Sequence, residues 1–246
     1  MNQKVNEVKQ ALVFAHRLFA EMGWDDLTYT HLSARHPTQS SYFIMPFGLL
    51  FEEVTVNNLL EVDFDGRILN HPDKTYNPTG HVIHGSVYQS RPDVNAVFHA
   101  HTPDNIAVAS MEAGLLPLSQ WALLFYERWR FHAYDALSLK QEAEGAQLVQ
   151  DLGQATLLLM RNHGSLIVGQ TIAEAWYYQY HFEMACRTQC QSLALQQTLV
   201  MPDETCCRKS VEQLHAFEQQ NGMRDWTALK RKYHHHWPTI EMENVS

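Results

Sequence analysis

Residues 93–104, Asp93-Val94-Asn95-Ala96-Val97-Phe98-His99-Ala100-His101-Thr102-Pro103-Asp104, decide how this chain is read. As a strand they alternate, with Val97, His99 and His101 on one face and Ala96, Phe98 and Ala100 on the other. Two imidazoles on one face stand roughly 7 Å apart along the backbone, near enough to converge on a single ion. The pair alone fits a hydrogen-bonded core equally well, because the chain holds 15 histidines. Thr102-Pro103-Asp104 supplies an N-cap, a proline at the first helical position and an acid in the first turn, so a helix starts directly after the second histidine. A strand end carrying polar side chains beside a helix N-terminus is a common place for chemistry in an α/β protein.

Downstream, Ala155 to Met160 is a continuous apolar run suited to a central strand. Asn162-His163-Gly164-Ser165 turns it back into Leu166-Ile167-Val168, which sets His163 at the tip of a tight connection with Gly164 as its permissive residue. Upstream, Asn77 and Pro78 open a helix whose one side carries Gly80, His84, Val87 and Tyr88. There His84 is either a site residue or a core histidine bonded to backbone. Tyr29 to Arg35 alternates weakly and places His31, Ser33 and Arg35 on one face, a solvated edge or a substrate contact. Tyr42 to Met45 and Val62 to Phe64 are further strands, and Asp65-Gly66 is a hairpin signal leading into Arg67 to Leu69.

Helices are expected over residues 5–22, closed by Gly23, and from Thr102 to a stop at Gly114. Others are expected over Leu139 to Leu152, and for about two dozen residues from the Thr171-Ile172-Ala173-Glu174 capping box. The aromatic stretch Trp121 to Tyr134 is expected to be core or a subunit interface, with cofactor stacking the minority reading. A helical segment follows Pro202, and His234-His235-His236 is read as tail. The organisation expected is one domain over 1–205 and a C-terminal extension over 206–246, packed on the domain or on a neighbouring subunit.

Net charge −9 argues against a nucleic-acid binder, which needs a basic stripe. No run of 18 apolar residues and no apolar signal core is seen, so no membrane role is expected. Cys186, Cys190, Cys206 and Cys207 show no scaffold spacing, which suits reduced thiols and a cytoplasmic setting. Cys186 and Cys190 sit four apart on one helix, where packing outweighs a two-thiol metal clip.

Taken together, Asn77-Pro78-Thr79-Gly80 to His84, Arg91-Pro92-Asp93-Val94, His99-Ala100-His101-Thr102 and Arg161-Asn162-His163-Gly164 resemble the class II aldolase/adducin family. His31-Leu32-Ser33-Ala34-Arg35 and Pro46-Phe47-Gly48 fit it too, and the resemblance spans about residues 8–200. The glutamate a cupin carries a few residues after His-x-His is missing, as is the His-x-His-x-Asp-His of metallo-β-lactamases. The resemblance implies a three-layer α/β/α domain around a mainly antiparallel sheet, assembled as a homotetramer with sites between subunits. It also implies His99, His101 and His163 as ligands of a divalent ion, zinc first and manganese second. Three neutral imidazoles leave coordination positions open for substrate.

The sequence departs from the sugar-phosphate aldolases where they carry their acid/base Glu. Gly80 stands there and can neither move a proton nor bind metal. Pro78-Thr79 and Thr30-His31 replace the Ser-Ser and Gly-Asn that those enzymes present to a substrate phosphate. The glycine pattern resembles the adducin-like branch, which includes non-catalytic cytoskeletal heads and bacterial enzymes, a decarboxylase among them. Decarboxylation tolerates the missing Glu best, because loss of carbon dioxide generates the enolate without removing a proton from carbon. The function expected is a metal-dependent lyase, aldolase- or decarboxylase-like, cleaving a carbon–carbon bond next to a metal-bound oxygen of a small hydroxy-carbonyl or carboxylate substrate. The alternative is a non-catalytic adducin-like binding or assembly module. His84, Tyr126 and His132 are the candidate proton donors, with a packing role the open alternative for each, and His31, Ser33 and Asn77 the candidate substrate contacts.

Overall fold

A computed structural model describes residues 2–137, 141–220, 222–234, 236 and 237. Its centre is one sheet of seven strands, β1 (His31–Arg35), β2 (Ser41–Ile44), β3 (Leu60–Asp63), β4 (Ala96–Ala100), β5 (Trp129–His132), β6 (Leu157–Met160) and β7 (Gly164–Gly169), in the order β3-β2-β1-β4-β7-β6-β5. Every pairing is antiparallel except β5 with β6. The mainly antiparallel sheet is thus present. The apolar run at residues 155–160 indeed lies inside it, where both faces need cover.

Strand alternation sorts the side chains into two buried layers. Leu32, Ala34, Phe43, Ala96, Phe98 and Ala100 face α1 (Asn2–Met22) and α6 (Ile172–Ala194). Further along the sheet Leu157, Leu159 and Ile167 meet α3 (Pro103–Ala109), α4 (Gln120–Leu123) and the middle of α6. On the opposite face Tyr42, Ile44, Val62, Val97, Leu158, Met160, Leu166 and Val168 pack under α2 (Pro78–Ser90) and α5 (Ala146–Leu152). The result is α/β/α. Phe98 is fully buried, and deleting a ring of this kind costs about 3–5 kcal/mol.

Local signals place most helix ends. Gly23, at φ +68°, closes α1. Asn77 accepts from the Thr79 amide at 3.2 Å, Thr102 from the Asn105 amide at 3.3 Å and Thr171 from the Glu174 amide at 3.0 Å. Other expectations need correction. The helix after Thr102 stops at Ala109, with Ser110 as its C-cap, both its amide and its hydroxyl donating to Ile106 O; Gly114 lies in the turn beyond it. The expected helix 139–152 is regular only over α5, preceded by a π-helical turn at Gln141–Gly145; residues 139 and 140 fall outside the described residues. Arg67 to Leu69 contributes a single bridge, Val62 to Ile68, rather than a strand.

The boundary expected at 205 falls inside the first turn of α7 (Glu204–Phe217). α8 (Met223–Tyr233) buries Trp226 and Tyr233 in the same cluster as α1. The Trp237 ring stacks on Tyr233 with centroids 4.4 Å apart, while His235 lies outside the described residues. Among the described residues no helix is long and apolar enough to cross a membrane. Cys186 is buried in the apolar cluster under α3 and α4, so its packing reading stands.

Candidate metal centre

β4 and β7 are neighbours, and β4 ends at Ala100, so His99 belongs to the strand while His101 already lies on the turn beyond it. Despite that, His99 Nε2 is 2.7 Å from His101 Nε2 and 3.2 Å from His163 Nε2. His163 comes from the β6–β7 turn, and the donor atoms of all three lie within 4.8 Å of one another.

The turn that presents His163 works differently from the sequence expectation. Asn162 takes the left-handed conformation, at φ +55°, not Gly164. Gly164 is needed for space, because a Cβ there would sit 2.3 Å from Ala100 O and 3.1 Å from His101 Cδ2. The glycine lets β7 close against the end of β4.

Partners on the far side of two rings set their tautomers. His99 Nδ1–H donates to Ser165 O at 2.9 Å, and His101 Nδ1–H donates to the Asp26 carboxylate at 3.0 Å. Asp26 and Leu27 hold left-handed backbone, at φ +41° and +56°, in the loop that delivers this carboxylate. Nothing in the sequence pattern marked Asp26.

Burial then keeps the imidazoles neutral. It lowers the pKa of His99 well below the ordinary value, with His101, His163, His31 and His84 adding to the effect. His163 is brought down to about 4 by burial first, then by His101 and His132; burial also lowers His101, against the pull of Asp26. With Nδ1–H committed, His99 and His101 turn Nε2 lone pairs toward each other, which is unfavourable unless a cation lies between. Nitrogens around a tetrahedral zinc at 2.0–2.1 Å are about 3.3 Å apart, which the His99–His163 pair matches at 3.2 Å and the His99–His101 pair approaches from below at 2.7 Å. The residues therefore fit a divalent ion.

Behind the triad stands a second, enclosed set. His31 pairs with His99 across β1 and β4, with ring centroids 4.8 Å apart. Its Nδ1 is 2.7 Å from His84 Nε2, His84 Nδ1 bonds Ser33 Oγ, and Ser33 Oγ is 2.8 Å from the Tyr88 hydroxyl. All four are buried. A Cβ on Gly80 would meet the His31 ring at 3.4 Å, so the histidine covers the ground above residue 80. Burial takes the pKa of His84 down to about 3 and that of His31 well below normal.

Of the other residues singled out in the sequence, Asn77 serves as the α2 N-cap. Tyr126 lies near Glu204, Cys207 and Arg208 of α7, and within one chain it is not brought to the triad. Arg35 is neither a solvated edge nor a substrate contact, since it donates to Val94 O, Tyr88 O and Arg91 O from an internal strand. His132 and Asp151, 2.7 Å apart, flank the cavity that His163 also lines.

Comparison with known proteins bears on this arrangement. The sequence profile of the Class II Aldolase and Adducin N-terminal domain matches residues 10–190. The chain belongs to the class II aldolase and adducin family. A crystal structure of an aldolase II superfamily protein from Pseudomonas syringae superposes with TM-score 0.88 at 37% identity, covering 94% of this chain and 93% of that one. An L-fuculose 1-phosphate aldolase from Glaciozyma antarctica gives TM-score 0.85 at 25% identity, over 98% and 93% of the two chains. Alpha-adducin of Rattus norvegicus is 37% identical over 183 residues, which is 73% of this chain and 25% of the adducin. This class II aldolase/adducin chain is thus similar in fold to an aldolase II superfamily protein and to an L-fuculose 1-phosphate aldolase over 94% and 98% of its length, and to one quarter of an adducin.

Proposed function

We propose that the protein is a metal-dependent lyase that breaks a carbon–carbon bond beside an oxygen of a small hydroxy-carbonyl or carboxylate substrate. The observation that carries this reading is the convergence of His99, His101 and His163, with His99 Nε2 2.7 Å from His101 Nε2 and 3.2 Å from His163 Nε2, all donor atoms within 4.8 Å of one another, and burial lowering the pKa of each ring. A divalent ion held there supplies Lewis-acid stabilisation of negative charge on a substrate oxygen. Zinc is favoured by three imidazoles, with manganese second.

The chain's own residues do the rest. Ser165 O and Asp26 hold the rings of His99 and His101 by their Nδ1 sides, which leaves each Nε2 as the atom offered to an ion. His31, His84, Ser33 and Tyr88 form a buried, hydrogen-bonded floor under His99 and close off the ground beside Gly80, where sugar-phosphate aldolases carry their acid. Cleavage without an acid at that position favours loss of a carboxylate or of an unphosphorylated aldehyde. A homotetramer and a cytoplasmic setting belong to the same reading.

The similarity to alpha-adducin supports a second one, a binding or assembly module that keeps the ion without turnover. Elemental analysis of purified protein, with His99→Ala and His163→Ala as controls, comes first. About one divalent ion per chain, lost in both variants, with turnover of hydroxy-acids or hydroxy-ketones abolished by chelation, is the expected outcome. Ion retention with no turnover across such a panel selects the module. A wild-type protein that cannot be loaded refutes the metal centre.

A further inference from the structure

His163 lies on the wall of a cavity of about 470 Å³ that is also lined by His132, Tyr134, Asp135, Glu144 and Asp151. That volume equals a sphere about 10 Å across, a size that takes one small molecule. β5 and β6 run parallel, with His132 opposite Met160 three residues before His163, so both histidines leave the same end of the sheet. His132 and His163 therefore line one cavity, and a ligand that reaches His163 through it passes His132.

His132, at the end of β5, is held from α5. Its Nδ1–H donates to Asp151 Oδ2 at 2.7 Å, while Gln147 Nε2 donates to Asp151 Oδ1 at 2.8 Å. The carboxylate is thereby braced on both oxygens, and the imidazole is oriented with Nε2 as its proton-exchanging nitrogen. Its side chain is 13% exposed, against full enclosure of His84, so His132 can meet a ligand that His84 cannot.

We propose that His132, positioned by Asp151, is the proton-transfer residue of this centre and fills the role that Gly80 leaves open. The inference rests on the lyase reading above. In aldol cleavage, neutral His132 Nε2 takes the hydroxyl proton as the carbon–carbon bond breaks. The hydroxyl oxygen becomes the carbonyl of the departing aldehyde, and the bonding pair stays on the carbon next to the remaining carbonyl. The Nε2–H bond then breaks, that carbon gains the proton, and His132 returns to its neutral form. In decarboxylation the carboxylate leaves as carbon dioxide, the pair stays on carbon, and His132 delivers a proton recovered from water. Neither route needs an oxidant or a reductant.

The described walls also fix the probe. Asp135, Glu144 and Asp151 are acidic, and Arg161 is committed, donating to Ala109 O, Met111 O and Glu112 O with its guanidinium 3.3 Å above the Phe131 ring. An uncharged hydroxy-ketone suits this lining better than a phosphate ester. By microscopic reversibility, the group that protonates the substrate carbon also removes its proton.

The test is exchange of the carbon-bound protons of dihydroxyacetone in deuterium oxide, followed by proton NMR with zinc- or manganese-loaded protein. His132→Gln is expected to slow exchange about 100-fold while ion content and the dissociation constant for dihydroxyacetone stay within about twofold. Asp151→Asn is expected to slow it about tenfold, and Asp151→Glu to recover part of that loss. Wild-type exchange that persists in His132→Gln overturns the assignment and leaves the lyase reading intact. Loss of exchange together with loss of the ion also overturns it, since His132 would then be structural. Loaded wild-type protein that catalyses no exchange refutes the assignment, whereas hydroxy-acid turnover in the same preparation would still uphold the lyase reading.

Discussion

Glu183 of α6 is 4% exposed and holds the turn that carries His101. Its carboxylate accepts from Thr102 Oγ at 2.6 Å, Asn105 Nδ2 at 3.0 Å and Gln179 Nε2 at 2.7 Å. Thr102 follows His101 directly, and Asn105 Nδ2 also reaches Ser165 Oγ at 3.3 Å, in the residue whose carbonyl orients His99. Burial pushes the Glu183 pKa up to about 7, over the opposing effect of the three donors. A carboxyl whose folded pKa exceeds its unfolded value of 4.5 favours the protonated fold, so its stability contribution is complete below 4.5 and is lost as pH rises through 7. Two and a half units at about 1.4 kcal/mol each give about 3 kcal/mol. Glu183→Gln has no proton to release. Urea unfolding of both proteins in chelator, at steps from pH 4.5 to 8, isolates this effect, because titrating groups that do not interact with Glu183 cancel in the difference. Wild-type stability minus variant stability should fall by about 3 kcal/mol across that range and level off above pH 7, whatever its absolute offset. A difference that stays constant within about 1 kcal/mol would show that Glu183 is ionised in the fold at all these pH values, and the reasoning would fail.

Gly164→Ala should destabilise the protein by about 2–4 kcal/mol and weaken ion binding at least tenfold, since its Cβ would stand 2.3 Å from Ala100 O between the three ligands. Thermal unfolding and zinc titration check this, and an unchanged midpoint would contradict the close approach. In acid, His16 and His84, held neutral by burial with pKa values near 4 and 3, contribute stability that is complete above pH 6.5 and lost as pH falls below it. Each adds up to about 1.4 kcal/mol per pH unit, so His16→Leu should remove about one proton from the stability slope between pH 6 and 4.5; an unchanged slope would place a charged His16 in the fold.

How much was legible in advance differs from residue to residue. The N-caps at Asn77, Thr102 and Thr171 are bonded as their spacing implies, because capping is settled within four residues. The alternation in β1 and β4 is equally local, and it set His31 and Ser33 on one face and His99 on the matching face of the next strand. The stop of α3 and the source of positive φ in the 161–164 turn were misplaced, since Ser110 and Asn162 compete with glycine in ways that only the folded backbone resolves.

By itself the sequence determined the order of elements, the α/β class, the family and three histidines of the right kind. Tertiary structure decided what surrounds them: Asp26 behind His101, Glu183 under Thr102, His31 over Gly80 and Asp151 behind His132. These partners are 75, 81, 49 and 19 residues apart in the chain. Periodicity and capping act over one or two turns, whereas the neutrality and orientation of a buried imidazole depend on groups that only the closed sheet brings within 3 Å.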